Sequence, residues 1–231
     1  MPDSDAVTIT LRGRAKADRR QALLTAAAVL FARSGFNGVS IDDLGAAAGV
    51  SGPAVYRHFS GKQALLSALL VGASEGLLTG GRAVVDSAAD APAALRGLVR
   101  FHVDFALANP DVIRVQDRDL ASLGDADQRR VRTLQRSYVE LWVTVLERLN
   151  PQASVPALRL RAHATFGLIN STPHSVSSLH SVSSLHSVSS SHSVSSSHSV
   201  SSSHSAPPAE PGGIRALLEQ MAVAALTPPA S

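Results

Sequence analysis

Apolar residues recur along this chain with the period of an α-helix, and nowhere do they alternate as a half-buried strand requires. Leu23, Ala27, Leu30 and Phe31 stand at i, i+4, i+7 and i+8, and the stripe stops at Ser34-Gly35, where glycine can take the left-handed conformation that ends a helix. This predicts a first helix over 17–34. Ser40-Ile41-Asp42-Asp43 has the form of a capping box, in which the serine hydroxyl accepts the amide three residues on while Asp43 reaches back, and it opens a short helix running to Ala48. After the turn Gly49-Val50-Ser51, a second cap at Ser51 and Pro53 in the first turn open a third helix over 52–58. Longer helices are predicted over 62–87, 92–108, 111–120 and 125–149, with Asn109-Pro110 and Asn150-Pro151 as punctuation. Val131, Leu134, Tyr138, Leu141, Trp142 and Val145 form the strongest stripe of this part. Leu158, Ala162, Thr165, Phe166 and Ile169 form another, and Ile214, Leu217, Leu218, Met221 and Ala225 the last. The expected fold class is therefore all-α.

Charge divides the chain more sharply than hydrophobicity does. Of the net +3, all lies in the first quarter: eight basic residues against five acidic through Lys62, then thirteen against thirteen. Two short capped helices joined by a tight turn, inside the only positively charged part of the chain, make a helix-turn-helix, whose second helix enters the DNA major groove. Base readout is expected from the first turns of the third helix, at Ser51, Gly52, Pro53, Ala54 and Arg57. Ser40, Tyr56, His58 and Lys62 are expected on backbone phosphates, with Lys62 assisted by the amino terminus of the fourth helix. The basic arm of Arg12, Arg14, Lys16, Arg19 and Arg20 is expected to touch phosphates too, although such an arm in isolation reads as a solvated tail.

The run from Ser40 to Leu65, SIDDLGAAAGVSGPAVYRHFSGKQAL, closely resembles the DNA-binding signature of the tetracycline-repressor-like (TetR) family. The match extends back through Ala26–Gly35, covers about 50 residues, and is made specific by Tyr56, His58, Phe59 and Lys62. It departs from the commonest family pattern at Pro53 and Ala54, where glycine and threonine are usual. Ala54 thus brings a methyl to a thymine but no hydroxyl. The resemblance implies a basic flexible arm (1–16), a three-helix helix-turn-helix head (17–62), and a C-terminal helical body (63–231) that senses a ligand and dimerises. Phe101, Phe105, Ile113, Tyr138, Trp142 and Phe166 are candidate pocket residues for a largely apolar effector, with His102 as a candidate polar anchor and His163 another polar group in the body. Each has an ordinary reading as core. Dimerisation is expected through about 156–170 and 214–226, whose apolar stripes a thin body would leave exposed. The function implied is a ligand-released repressor binding a palindromic operator as a homodimer. The alternatives are a DNA-binding dimer that senses nothing, or a metal-responsive regulator.

The metal alternative comes from a hexad repeat, His-Ser-Val-Ser-Ser-(Leu/Ser), beginning at His174 and ending near Ser205. Six residues turn a helix by about 600° and extend a strand by about 20 Å, so successive histidines do not share one ion, and no metal site is assigned. Serine this dense buries too little apolar surface to offset chain entropy, so a disordered insertion is expected at about 171–213. Absence of cysteine in the 231 residues excludes disulfides and cysteine nucleophiles. Gly49-Val-Ser-Gly-Pro53 imitates a nucleophile elbow but follows a helix, Gly61-Lys62 lacks the first glycine of a phosphate loop, and there is no His-Glu-x-x-His. No enzyme activity and no cofactor are expected. The acidic start Met1-Pro2-Asp3-Ser4-Asp5 is unlike a secretory signal, and no stretch is read as approaching the roughly 18 apolar residues of a membrane span, so no membrane partner and a cytoplasmic location are expected.

Overall fold

A computed structural model describes residues 4–187 and 211–227, and their side chains over 13–171 and 213–227. Every regular element among the described residues is helical: α1 (Ser4–Ser34), α2 (Ile41–Ala47), α3 (Gly52–Val55), α4 (Lys62–Ser87), α5 (Ala91–Ala108), α6 (Pro110–Asp119), a 3-10 turn (Leu120–Ser122), α7 (Asp125–Leu149), α8 (Val155–Ser187) and α9 (Pro211–Leu226). The expected all-α class is the observed one.

Two helix lengths correct the reading of the sequence. Where a flexible arm is expected over 1–16, residues 4–16 form the first turns of α1, which begins at Ser4, and residues 1–3 lie outside the described residues. Likewise α8 runs through the start of the hexad repeat to Ser187, although the composition predicts disorder from about 171. Both follow from cooperativity: once a turn is nucleated by packing, each further residue adds a hydrogen bond without a new nucleation cost, so polar sequence can prolong a helix that apolar sequence starts. The rest of the repeat, from 188, lies outside the described residues.

A third correction concerns α4, which by length and composition does hold a window apolar enough to cross a membrane. Its leucines, valines and alanines raise the average, with serines, glycines and Glu75 set between them. Leu65, Leu66, Leu69, Leu70, Val71 and Leu78 are instead buried against the protein's own core.

The chain divides into two compact units. The first comprises Met1–Ala83 and Asn109–Leu141. Its core gathers Leu23, Ala27 and Phe31 of α1, Leu44 of α2, Val55 of α3 and Phe59 with Leu65, Leu66 and Leu70 of α4. The same cluster takes in Val112 and Val115 of α6, Leu123, and Val131 of α7. The motif expected to end at Lys62 therefore shares its core with helices far downstream. Arg118 links them further, with Nη1 donating to the Ala32 carbonyl at 3.2 Å and Nη2 to that of Phe31, so that a cation from α6 satisfies the last carbonyls of α1. The second unit comprises Val84–Ala108 and Trp142–Ser231. There α5, α8 and α9 pack on one another around Leu98, Trp142, Leu146, Leu158, Ile169 and Leu226, all fully buried.

Candidate nucleic-acid interface

The turn between α2 and α3 owes its tightness to glycine. Gly49 has φ 68°, the left-handed region that residues with a Cβ seldom occupy, and the Val50 amide then donates to the Gly45 carbonyl at 2.8 Å. Gly45 itself is buried at the crossing of the two helices. A Cβ there would meet the Val50 oxygen at 2.8 Å and the Gly52 nitrogen at 3.1 Å, so only glycine allows this approach without displacement.

At the start of α2 the capping box forms as the sequence predicts. Ser40 Oγ accepts from the Asp43 amide at 3.1 Å and donates to Asp43 Oδ2 at 2.6 Å, while the Ser40 amide donates to the same oxygen at 2.9 Å. These bonds, the hydroxyl first, hold the Asp43 carboxyl below its ordinary pKa. The Ser40 hydroxyl is thus already engaged by the cap and by an anion, which is a poor neighbour for a phosphate.

The predicted base-reading residues part company in α3. Ser51, Pro53, Tyr56 and Arg57 are exposed, Tyr56 at 58%, and Ala54 is half-buried. Gly52 does not join them. It is buried against α2, where an added Cβ would overlap the Asp42 carboxylate, so its role is to let the helices close. Nor does Ser51 cap with its side chain, which leaves its hydroxyl outside the helix's own bonding. The helix is shorter than predicted, giving way after Val55 to tighter bonds from the Arg57 amide to Ala54 (3.2 Å) and from the His58 amide to Val55 (2.9 Å).

The two residues at the end of this turn are held from elsewhere. Arg20 Nη1 donates to the His58 carbonyl at 3.1 Å, and its guanidinium lies 4.1 Å from the Phe59 ring centroid. His58 is half-buried, and its Nδ1 is buried without a hydrogen-bond partner among the described residues. Lys62 Nζ donates to the Val39 carbonyl at 2.8 Å and sits 4.6 Å from the Phe36 ring centroid. Arg20 and Lys62 therefore fasten α3 and α4 to the rest of the unit. The motif alone assigns no role to Gly45 or Arg118, and it groups Arg20 with the arm.

The seven candidate pocket residues do not fall in one unit: Ile113 and Tyr138 belong to the first, and Phe101, His102, Phe105, Trp142 and Phe166 to the second. In the second, the His102 ring lies 4.8 Å from Phe166, 6.1 Å edge-on to Trp142 and 6.4 Å from Phe105 by centroids. Its Nε2 is 3.2 Å from Asn170 Oδ1. Burial lowers the His102 pKa to about 4, against the opposing effect of the Asn170 bond, so the imidazole is neutral at pH 7. His163 is exposed on α8. In the first unit two open grooves, of about 590 and 540 Å³, are lined by none of the seven. Among the described residues no group of three or more His, Cys, Asp or Glu is placed to hold a metal ion.

Comparison with known proteins matches residues 23–69 to bacterial regulatory proteins of the tetR family and residues 88–174 to a tetracyclin repressor-like C-terminal domain, together more than half the chain. A curated relative, the HTH-type transcriptional repressor KstR2 of Rhodococcus jostii, is 31% identical over 134 residues, 57% of this chain and 65% of its own length. The match thus spans just under two thirds of that relative. Among solved structures, the ketosteroid transcriptional regulator KstR2 of Mycobacterium tuberculosis superposes with a TM-score of 0.64 at 18% identity, over 90% of this chain and 93% of the other. The transcriptional regulator FadR of Bacillus subtilis, solved in complex with stearoyl-CoA, superposes with a TM-score of 0.54 at 14% identity, over 65% and 85%.

Proposed function

The chain belongs to the TetR family of bacterial regulatory proteins, and on that premise we propose that it is a DNA-binding repressor, released from a palindromic operator by an apolar small molecule. The observation that carries this reading is the strip Ser51, Pro53, Tyr56 and Arg57, exposed together on and just after α3 while Val55 and Phe59 are anchored in the core. A short helix held from behind, with polar and cationic groups in front, is what major-groove readout needs. Arg57 is the residue suited to a guanine edge, and Ser51 and Tyr56 to phosphate or base.

A homodimer supplies the two half-sites of a palindrome. Its support is the face on α8 and α9 that carries Leu160 (70% exposed), Leu217 (55%) and Met221 (43%), with Ala164, Gly167 and Ala224 on the same exposed sides. Two copies joined there form a four-helix contact.

Effector binding is assigned to the second unit, around the neutral His102 and its aromatic neighbours. KstR2 is described as a ketosteroid regulator and FadR was solved with stearoyl-CoA, and both facts favour an apolar acyl or ring compound here. Such a ligand releases DNA only by binding better to a conformation whose recognition helices no longer fit half-sites one helical turn apart.

Selection of bound genomic DNA at fixed salt tests the reading. An inverted repeat with half-sites about 10 bp apart is the expected product. Recovery of sequences without dyad symmetry, or of no enriched sequence, refutes it.

A further inference from the structure

The first turns of α1 continue its buried face. At about 100° per residue, Lys16, Arg19 and Arg20 fall within a roughly 120° arc that also holds Leu23, Ala27 and Phe31. Leu23, Ala27 and Phe31 are fully buried, whereas 13–20 are all exposed. The helix therefore runs past the edge of its own core, and the face that was apolar becomes basic. Arg14 and Asp18 lie on the opposite side.

Arg20 fixes which way that face is turned. Its bond to the His58 carbonyl and its approach to the Phe59 ring place the arc beside the end of the recognition turn, next to exposed Tyr56 and Arg57. Lys16 follows one turn further along the axis, about 6 Å from Arg20. Among the described residues neither Lys16 nor Arg19 forms an ion pair that would account for its position.

We propose that the overhanging part of α1 is a preformed phosphate clamp, in which Lys16 and Arg19 hold the DNA backbone flanking the bases that α3 reads. This rests on the DNA-binding reading above and adds to it a second DNA-touching region outside the motif. A helical arm loses less conformational entropy on binding than a flexible one. Because both side chains meet phosphate only, they add affinity without sequence preference.

The test is fluorescence anisotropy of the full chain with a random-sequence duplex, from about 50 to 200 mM NaCl. The double variant Lys16→Gln/Arg19→Gln should flatten the slope of log K against log salt by about 1.8, since each phosphate left without its cation accounts for about 0.9. The charge-matched variant Arg14→Gln/Arg33→Gln, whose residues are exposed but outside the arc, should move it by less than half as much. Melting temperatures of all three proteins should coincide, since every substituted side chain is exposed. Equal slopes for the two doubles overturn the clamp and leave the helix-turn-helix reading intact. A wild-type chain that binds duplex without salt dependence overturns both.

Discussion

Acidification is expected to destabilise the second unit through His102, and the structure sets the size of the effect. In the unfolded chain the imidazole titrates near its ordinary 6.5, while in the fold burial among Trp142, Phe105 and Phe166 lowers it to about 4. Between those values the unfolded state binds more protons, so stability rises with pH there. It is fully present above about pH 6.5 and is lost as pH falls toward 4. The interval corresponds to about 3 kcal/mol in all, with a steepest slope of about 1.4 kcal/mol per pH unit. Urea unfolding of the wild type and of His102→Gln, which keeps a donor for Asn170 Oδ1 but does not titrate, isolates this contribution from the carboxylates. The difference between the two proteins should shrink by about 3 kcal/mol from pH 7 to pH 4. A difference that stays constant across that range refutes the burial argument and, with it, the neutral imidazole assigned to the effector site.

Three sets of substitutions probe the first unit. Gly45→Ala gains helix propensity but forces a Cβ against the Val50 oxygen, and should lower stability by about 1–3 kcal/mol in denaturant melts while weakening DNA binding. Arg118→Ala removes the side-chain donor from the Ala32 carbonyl and one of two donors from that of Phe31, which keeps the Gly35 amide, and it leaves the buried Asp119 without its cation, a loss of about 1–3 kcal/mol readable as a lower melting temperature. Gly72→Ala and Gly76→Ala point into open space on α4 and should each stabilise by up to about 1 kcal/mol.

Those outcomes follow the line between what the sequence reveals and what it hides. Ser40 and Asp43 are three residues apart, and their capping box is legible because the chemistry is local. The same holds for Gly35 and Gly49, which both take positive φ where the sequence predicts a turn. Gly81 shows the limit. Gly72, Gly76 and Gly80 stand out as a repeat, yet it is Gly81 whose absent side chain admits Tyr138 Cε2, at 2.6 Å from where a Cβ would lie. That requirement comes from a helix far downstream, and no spacing within α4 announces it. Arg118 is hidden for the same reason, since its partners precede it by 86 and 87 residues. The end of α3 is hidden differently: the cap and proline signals open a helix expected to reach residue 58, but competing bonds to the i−3 carbonyls close it after Val55.

Charge needs the structure most. The sequence counts eight cations in the first quarter and treats them alike, yet a cation near DNA binds phosphate only if its head group is free to leave the protein. Arg20 covers an aromatic ring and a carbonyl, and Lys62 does the same between Phe36 and Val39. Withdrawing either toward DNA would uncover what it holds, so each is expected to act on binding through packing, Arg20 at the end of the recognition turn and Lys62 at the approach to α2. Replacing Arg20 with Gln should then weaken specific operator binding more than nonspecific binding. Lys16→Gln/Arg19→Gln should weaken both by the same factor. Competition of operator duplex against random duplex separates the two cases, and an equal effect of Arg20→Gln on both duplexes would return Arg20 to the phosphate-binding arm.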